Sequence, residues 1–144
     1  MATSDEAAWR AMQSHLAAMG YVVQAAIGEP MAPPEPITAA IIPISGRIDE
    51  TVLNAPRFVH TVALRFYGEG VAEDREDVEL KLDQIRADIM EDVFGDFELG
   101  GAVAYALPTL FEWRYGWQSI GGRMYRLLDL TVAYRVDVTY VFAP

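Results

Sequence analysis

The sequence predicts an α+β fold: a single mixed or antiparallel β-sheet flanked by two main α-helices, with a long C-terminal strand. Two stretches repeat apolar residues at the helical period, and several others alternate apolar and polar residues as strands do. Of the 144 residues, 52% are hydrophobic. That is one domain's length of chain with enough apolar side chain for a core, so we interpret residues 1–144 as a single domain.

The N-terminal part of the chain predicts a helix, a short strand and a connector. Apolar residues recur at steps of three and four at Trp9, Met12, Leu16 and Met19. Gly20 is a typical residue to end this helix. Residues 21–27 are predicted to form a short strand. Residues 28–36 include four prolines, which favour an extended connector without repetitive structure.

The middle of the chain predicts two strands and the longer helix. Residues 37–44 are apolar and compatible with a strand, although Pro43 lacks an N–H and indicates an edge or a bend there. A loop is predicted over residues 45–56. Residues 57–67 alternate strictly, which predicts a strand, and residues 72–94 carry an apolar stripe at helical spacing.

The C-terminal part predicts two more strands joined by a glycine turn. Residues 102–107, which Pro108 ends, are of uncertain type. Aromatic residues then follow at every second position, as in a strand: Phe111, Trp113, Tyr115 and Trp117. Gly121 and Gly122 can supply the positive φ angles of a hairpin turn. Residues 128–142 alternate without a break, far beyond the usual strand length of about 5–6 residues.

Charge and composition exclude several classes of protein. Eleven basic against 21 acidic residues give a net charge of −10, which disfavours binding to a phosphate backbone or to an anionic membrane. The absence of cysteine removes disulfides, thiol catalysis and thiolate metal sites. No stretch of about 18 apolar residues occurs, so we expect a soluble protein made in the cytoplasm.

The sequence offers no convincing catalytic motif. His15 and His60 lack the spacing of metal ligands, and the acidic run at the start of the second helix lacks the glycine of a calcium-binding loop. Ser45 and Ser119 lie in no nucleophile motif, and the glycine pairs do not match a phosphate-binding loop. We therefore predict a protein that is not an enzyme and has no cofactor and no metal.

Residues 111–126 are unusually rich in aromatic residues and arginine, the residue types that dominate protein interfaces. Two interpretations are open: these side chains contact another subunit, or they pack in the core of the hairpin itself. Alternation at every second position allows both, because it presents two faces. The candidate contact residues are Trp113, Arg114, Tyr115, Trp117, Arg123, Tyr125 and Arg126.

The layout resembles the tail terminator proteins of long-tailed siphophages and of gene transfer agents. The resemblance covers most of the chain. It rests on the N-terminal helix that ends at Gly20 and Tyr21, on the strand RFVHTVALRFYGEG and the amphipathic helix after it, and on the final segment GGRMYRLLDLTVAYRVDVTYVF. In this last segment a Gly-Gly turn leads into the long strand.

The resemblance implies a structural virion protein at the head–tail junction, made in the host cytoplasm. Such proteins form a hexameric ring that caps the tail tube, stops its polymerisation and joins the tail to the head. The implied partners are further copies of the chain, the tail tube protein and the head–tail connector protein, with DNA only in transit through the lumen and no membrane. Residues 111–126 are then candidates for subunit or tube contacts.

A negatively charged lumen would repel DNA and keep it from sticking. On charge alone, the candidate lumen or rim surface comprises Glu73, Asp74, Glu76, Asp77, Glu79 and Asp83.

Two alternative functions remain open at the level of sequence. One is another head–tail connector or head-closure protein, since these too are small acidic ring subunits. The other is a small-molecule-binding module, in which Trp113, Tyr115 and Trp117 would line a pocket while Arg114 or Arg123 holds an anion.

Overall fold

A five-stranded sheet organises the chain, with two helices packed on one of its faces. The computed structural model describes residues 6–50, 57–71, 75–95 and 105–137. The elements are α1 (Glu6–Ala17), β1 (Gln24–Ile27), β2 (Thr38–Glu50), β3 (Arg57–Glu69), α2 (Arg75–Gly95), β4 (Tyr105–Ile120) and β5 (Arg123–Asp137). Their order and type confirm the predicted α+β class. Neither described helix is long and apolar enough to cross a membrane.

The strand order is β1-β2-β3-β5-β4, which makes β1 and β4 the two edges of the sheet. β1 pairs with β2 in parallel, and all other neighbours are antiparallel, so the sheet is mixed. β3 and β5 pair along their whole shared length at the centre, from Arg57 opposite Asp137 to Glu69 opposite Tyr125. The sheet therefore has two unlike edges: β4 alone forms one along its sixteen residues, whereas the other passes from the four residues of β1 to the part of β2 beyond Ile41.

Both helices bury their apolar stripes against the same face, which we call the helix face. Met12 and Leu16 of α1 and Leu82 and Ile85 of α2 are buried there, as the sequence periodicity predicts. The strands supply every second residue to this core: Ala39, Ile41, Val62, Leu64, Phe66, Leu128, Leu130, Val132 and Tyr134. The alternation predicted for β3 is confirmed by this set.

The opposite face of the sheet is crossed by residues 28–36, which we call the proline strap. It contains no helix or strand, as predicted for the connector. The buried Tyr125 hydroxyl donates a hydrogen bond to the Pro34 carbonyl oxygen at 2.7 Å. Gly121, at φ +59°, lies so close to Pro33 that an added Cβ would stand 2.8 Å from its Cγ. The β4–β5 turn and the strap are therefore packed together, so we call this second surface the strap face.

Two predicted boundaries in the first half of the chain are corrected by the structure. β1 begins at Gln24 rather than at residue 21. The loop predicted from residue 45 is wrong up to Glu50, because β2 continues through a register shift between Pro43 and Ser45. Since β1 pairs only as far as Ile41, this part of β2 is an edge, where proline is tolerated.

The C-terminal hairpin also differs in extent from the prediction. The uncertain residues 105–107 begin β4, which continues past Pro108 with a register shift between Leu107 and Glu112. Gly121 and Gly122 form the predicted turn with positive φ, and β5 starts directly after it rather than at residue 128. Residues 72–74 and 138–142, predicted as helix and strand, lie outside the described residues.

Candidate functional site: an arginine–aromatic ladder

The three alternating aromatic residues of β4 lie on the helix face. Trp113 is paired with Leu130 and Tyr115 with Leu128, and both leucines belong to the core beneath the helices. Trp117 is paired with Arg126 in the same alternation. Because β4 is the edge strand, these rings stand beside α2 at the rim of the sheet.

Arginine side chains alternate with the aromatic rings along this rim. The Arg75 guanidinium lies 4.4 Å from the centroid of Trp117, and Arg86 lies 4.9 Å from that of Trp113. Between them, Arg126 lies 4.9 Å from Trp117 and 5.6 Å from Tyr115. These distances are within the range of cation–π attraction. We call the set Arg75, Arg86, Trp113, Tyr115, Trp117 and Arg126 the arginine–aromatic ladder.

Two carboxylates of α2 hold two of the three arginines, Arg86 and Arg126, in place. Arg126 Nε donates to Glu79 Oε1 at 2.7 Å. Asp83 Oδ1 accepts from Arg86 Nε at 2.8 Å and from the Tyr115 hydroxyl at 3.3 Å. The spacing of these positions on α2, in steps of three and four, puts them on one side of the helix. The acidic and the aromatic candidates of the sequence therefore meet at one site.

The electrostatics of the ladder follow from these contacts. The hydrogen bond from Arg86 lowers the pKa of Asp83, so the carboxylate stays ionised. Burial raises the pKa of Tyr115, and the negative charge of Asp83 raises it further. Tyr115 thus remains a neutral hydrogen-bond donor at physiological pH. Every one of these groups is engaged in positioning another, which suits a rigid contact surface better than proton transfer.

The ladder keeps much of its aromatic surface in contact with solvent. Trp113 is 45% exposed and Trp117 is 52% exposed, although both are held by arginines. The side chains of β4 therefore combine large apolar area with a fixed orientation. Exposed tryptophan beside arginine is the composition of interface hot spots.

The remaining candidates of residues 111–126 lie elsewhere. Arg114 is exposed on the strap face, opposite Asp129. Arg123 forms an ion pair with Glu69 at 3.4 Å beside the turn. Tyr125 is fully buried under the strap. The segment thus supplies both surface and core, as the alternation allowed.

The acidic candidates are similarly divided. Glu76 and Asp77 are exposed at the start of α2, where Asp77 forms an ion pair with Lys81 at 3.0 Å. Glu79 and Asp83 face the ladder, as described above. Glu73 and Asp74 lie outside the described residues.

Sequence reasoning missed Arg75 and Arg86 as parts of the site. Both lie on α2, and only the packing of α2 beside β4 brings them over Trp117 and Trp113. The sequence shows their helical spacing with Glu79 and Asp83, but it does not show that this side of α2 packs beside β4.

A cavity of about 480 Å³ lies between the end of α1, the end of β3 and the start of α2. Its lining residues are Gly20, Tyr21, Pro36, Ile37, Gly68, Glu69, Asp77, Val78 and Lys81. The ladder tryptophans are not among them, so a ligand in this cavity would not contact the aromatic residues that the pocket hypothesis invoked.

The chain matches no known family model, and no curated protein matches it. The family resemblance read from the sequence therefore remains a prediction, and the functional argument rests on the site.

Proposed function

We propose that the chain is a tail terminator, a structural subunit that assembles into a hexameric ring on the tail tube, stops tube growth and joins the tail to the head. One observation carries the proposal. Two half-exposed tryptophans, held by arginines and carboxylates, stand on a long edge strand of an open sheet. A surface of this kind is suited to a protein partner.

The shape of the sheet also supports a ring. One edge is formed by β4 alone and the other by β1 and the end of β2, so a copy of the chain offers two unlike sides. Contacts between unlike sides run head to tail, and they close into a ring when the rotation between copies permits. The net charge of −10, with Glu76 and Asp77 exposed, is compatible with a lumen that DNA crosses without sticking.

The test is assembly on the tube. Native mass spectrometry should give six times the 16.0 kDa subunit mass, in solution or on tubes. Electron microscopy of polymerising tail tube protein should show shorter, capped tubes when the chain is added. Trp113→Ala should abolish capping, whereas Val23→Asp, at a 64% exposed position away from the ladder, should not. A chain that is monomeric both in solution and on tubes would refute the proposal.

Two other functions make different predictions. A head-closure or connector protein would bind the head-side portal complex and leave tube length unchanged. A small-molecule-binding module would use the cavity beside Tyr21 and Lys81, and a ligand found by screening would raise Tm. Substitution of Lys81 by Glu should then remove that shift, while capping by a tail terminator would be unaffected.

A further inference from the structure

The proline strap is anchored at several points, yet Met31 near its middle is exposed to solvent. Glu29 forms an ion pair with Arg65 at 3.4 Å, and the Glu35 carbonyl oxygen accepts a hydrogen bond from Thr38 Oγ1 at 2.6 Å. Together with the Tyr125 bond to Pro34, these contacts hold the strap against the sheet. Met31 between the anchors is 100% exposed. The strap is thus a held segment that presents an apolar side chain to solvent.

The chemistry of the strap fits an aromatic partner. Proline fixes φ and biases the preceding residue to an extended conformation, so little freedom is lost when such a segment binds. Proline-rich segments are commonly recognised by surfaces lined with aromatic side chains. A methionine thioether also contacts aromatic rings favourably. We therefore expect Met31 and the exposed Pro33 to bind a surface that presents aromatic rings.

The charge of the strap is complementary to that of the ladder. The strap carries two acidic residues, Glu29 and Glu35, and no basic residue. On the ladder, Arg75 donates to the Gly70 carbonyl oxygen at 3.1 Å and covers Trp117, but it has no carboxylate partner within residues 6–50, 57–71, 75–95 and 105–137. Arg75 beside the half-exposed Trp117 therefore complements a strap that is both acidic and apolar.

The two surfaces cannot meet within one chain. Pro33 touches Gly121 on the strap face, while Trp117, four positions before Gly121 on β4, lies on the helix face. The sheet separates them. Contact between the strap of one copy and the ladder of another joins unlike surfaces, so it repeats head to tail and is the type of contact that builds rings.

We propose that the proline strap of each subunit docks on the arginine–aromatic ladder of the next copy of this chain. Met31 and Pro33 cover Trp117 of the neighbour, and the exposed Glu35 carboxylate faces its Arg75. The inference rests on the proposed function in one respect, because the ring that this contact builds is the hexamer proposed above.

A mixing experiment with the full chain tests the contact. Met31→Asn removes the apolar side chain of the strap without adding charge and leaves the ladder intact; Trp117→Ala does the reverse. Each variant alone should self-associate at least about tenfold more weakly than the unmodified chain. An equimolar mixture has one productive pairing, the intact strap on the intact ladder. Native mass spectrometry should therefore show heterodimers of twice the 16.0 kDa subunit mass and nothing larger.

Two further variants serve as a second test of the ladder and as a control outside both surfaces. Arg75→Glu is a second ladder variant, whose mixture with Met31→Asn should likewise give only heterodimers, and circular dichroism verifies that each variant is folded. Val23→Asp changes an exposed apolar residue outside both surfaces and should assemble like the unmodified chain. A control that also dissociates would overturn the assignment of the contact to strap and ladder.

The outcomes separate this contact from the proposed function. Hexamers that persist in both single variants, or mixtures that stay monomeric, would overturn the docking and leave the tail terminator proposal standing. If the chain assembles only on tubes, the Met31 variant and Trp117→Ala should each fail to cap them, and capping by both variants would likewise overturn the docking. Strap–ladder heterodimers from a chain that never engages a tube would support the docking and refute the tail terminator.

Discussion

The two faces of the sheet are buried in different ways. The helix face lies under α1 and α2 and is filled mainly with aliphatic residues such as Ile41, Leu82 and Leu130. On the strap face, Ala40, Tyr67, Tyr125 and Leu127 form a second and smaller cluster of buried residues. Two amphipathic helices cover the first face, whereas a connector without repetitive structure covers part of the second.

Arg65 is the centre of the polar contacts on the strap face. Arg65 binds Asp129 through two hydrogen bonds, of 2.7 and 3.1 Å, and also contacts Glu29 of the strap and Gln118 of β4. The hydrogen bond with Asp129 is the main cause that raises the pKa of Arg65, so this charge is permanent. Helix packing therefore covers the centre of the helix face, with polar contacts at its β4 rim, whereas the strap is held by hydrogen bonds and an ion pair such as those of Tyr125 and Arg65.

The largest expected effect comes from truncation on the helix face. Leu82→Ala should lower the free energy of unfolding by about 2–5 kcal/mol, because it leaves a cavity at a fully buried site. Leu127→Ala on the strap face should cost less, since its cluster is small and can collapse more easily. Urea denaturation measures both. The matched control is Leu80→Ala on the same helix, 61% exposed, which should change stability by less than about 0.5 kcal/mol.

Equal losses at Leu82 and Leu127 would contradict the contrast between the two faces. A loss at Leu80 as large as that at Leu82 would show that α2 packs differently.

The helix face could be predicted from the sequence because its signals are local. The apolar stripe of α2 and the alternation of β3 each specify which side chains point inward. The Gly121–Gly122 turn is likewise a local signal. Composition marks four ladder positions as candidates, Trp113, Tyr115, Trp117 and Arg126, but it does not show that they group with Arg75 and Arg86.

The grouping depends on contacts between distant parts of the chain. The cover of the strap face depends on the bond from Tyr125 to Pro34, 91 positions apart, and the ladder joins Arg75 of α2 to Trp117 of β4. Helical or strand periodicity in the sequence describes only neighbouring residues, so it cannot predict these contacts. The continuation of β2 past Pro43 was missed for a related reason, since only the end of β1 at Ile27 makes that stretch an edge.

A smaller effect distinguishes two tyrosines on the strap face. Tyr125→Phe should cost about 1 kcal/mol, because the buried Pro34 carbonyl loses its donor. Tyr67→Phe should be neutral or slightly stabilising, since the buried Tyr67 hydroxyl has no hydrogen-bond partner in the described part of the chain. The two rings contact each other edge to face. Each substitution keeps the ring and removes only the hydroxyl, so the two variants compare a bonded with an unbonded hydroxyl. Thermal denaturation in parallel measures the difference, and equal Tm values would refute it.

The smallest effect should appear only in alkali. Burial raises the pKa of Tyr67 above its ordinary 10.0, and it does so more than the neighbouring Arg65 guanidinium lowers it. Above about pH 10 the unfolded chain therefore releases a proton that the folded chain retains, so the free energy of unfolding falls as pH rises. Below that pH the contribution of Tyr67 is constant.

Tyr67→Phe isolates this contribution from that of Tyr115, whose pKa on the helix face is also raised by burial. Urea denaturation of both chains between pH 8 and roughly pH 11 should show curves that run parallel at first and separate above about pH 10, with the variant losing less stability. Curves that stay parallel throughout would mean that the Tyr67 hydroxyl reaches water when the strap moves. In that case the strap face would be held less firmly than the contacts of Arg65 and Tyr125 indicate.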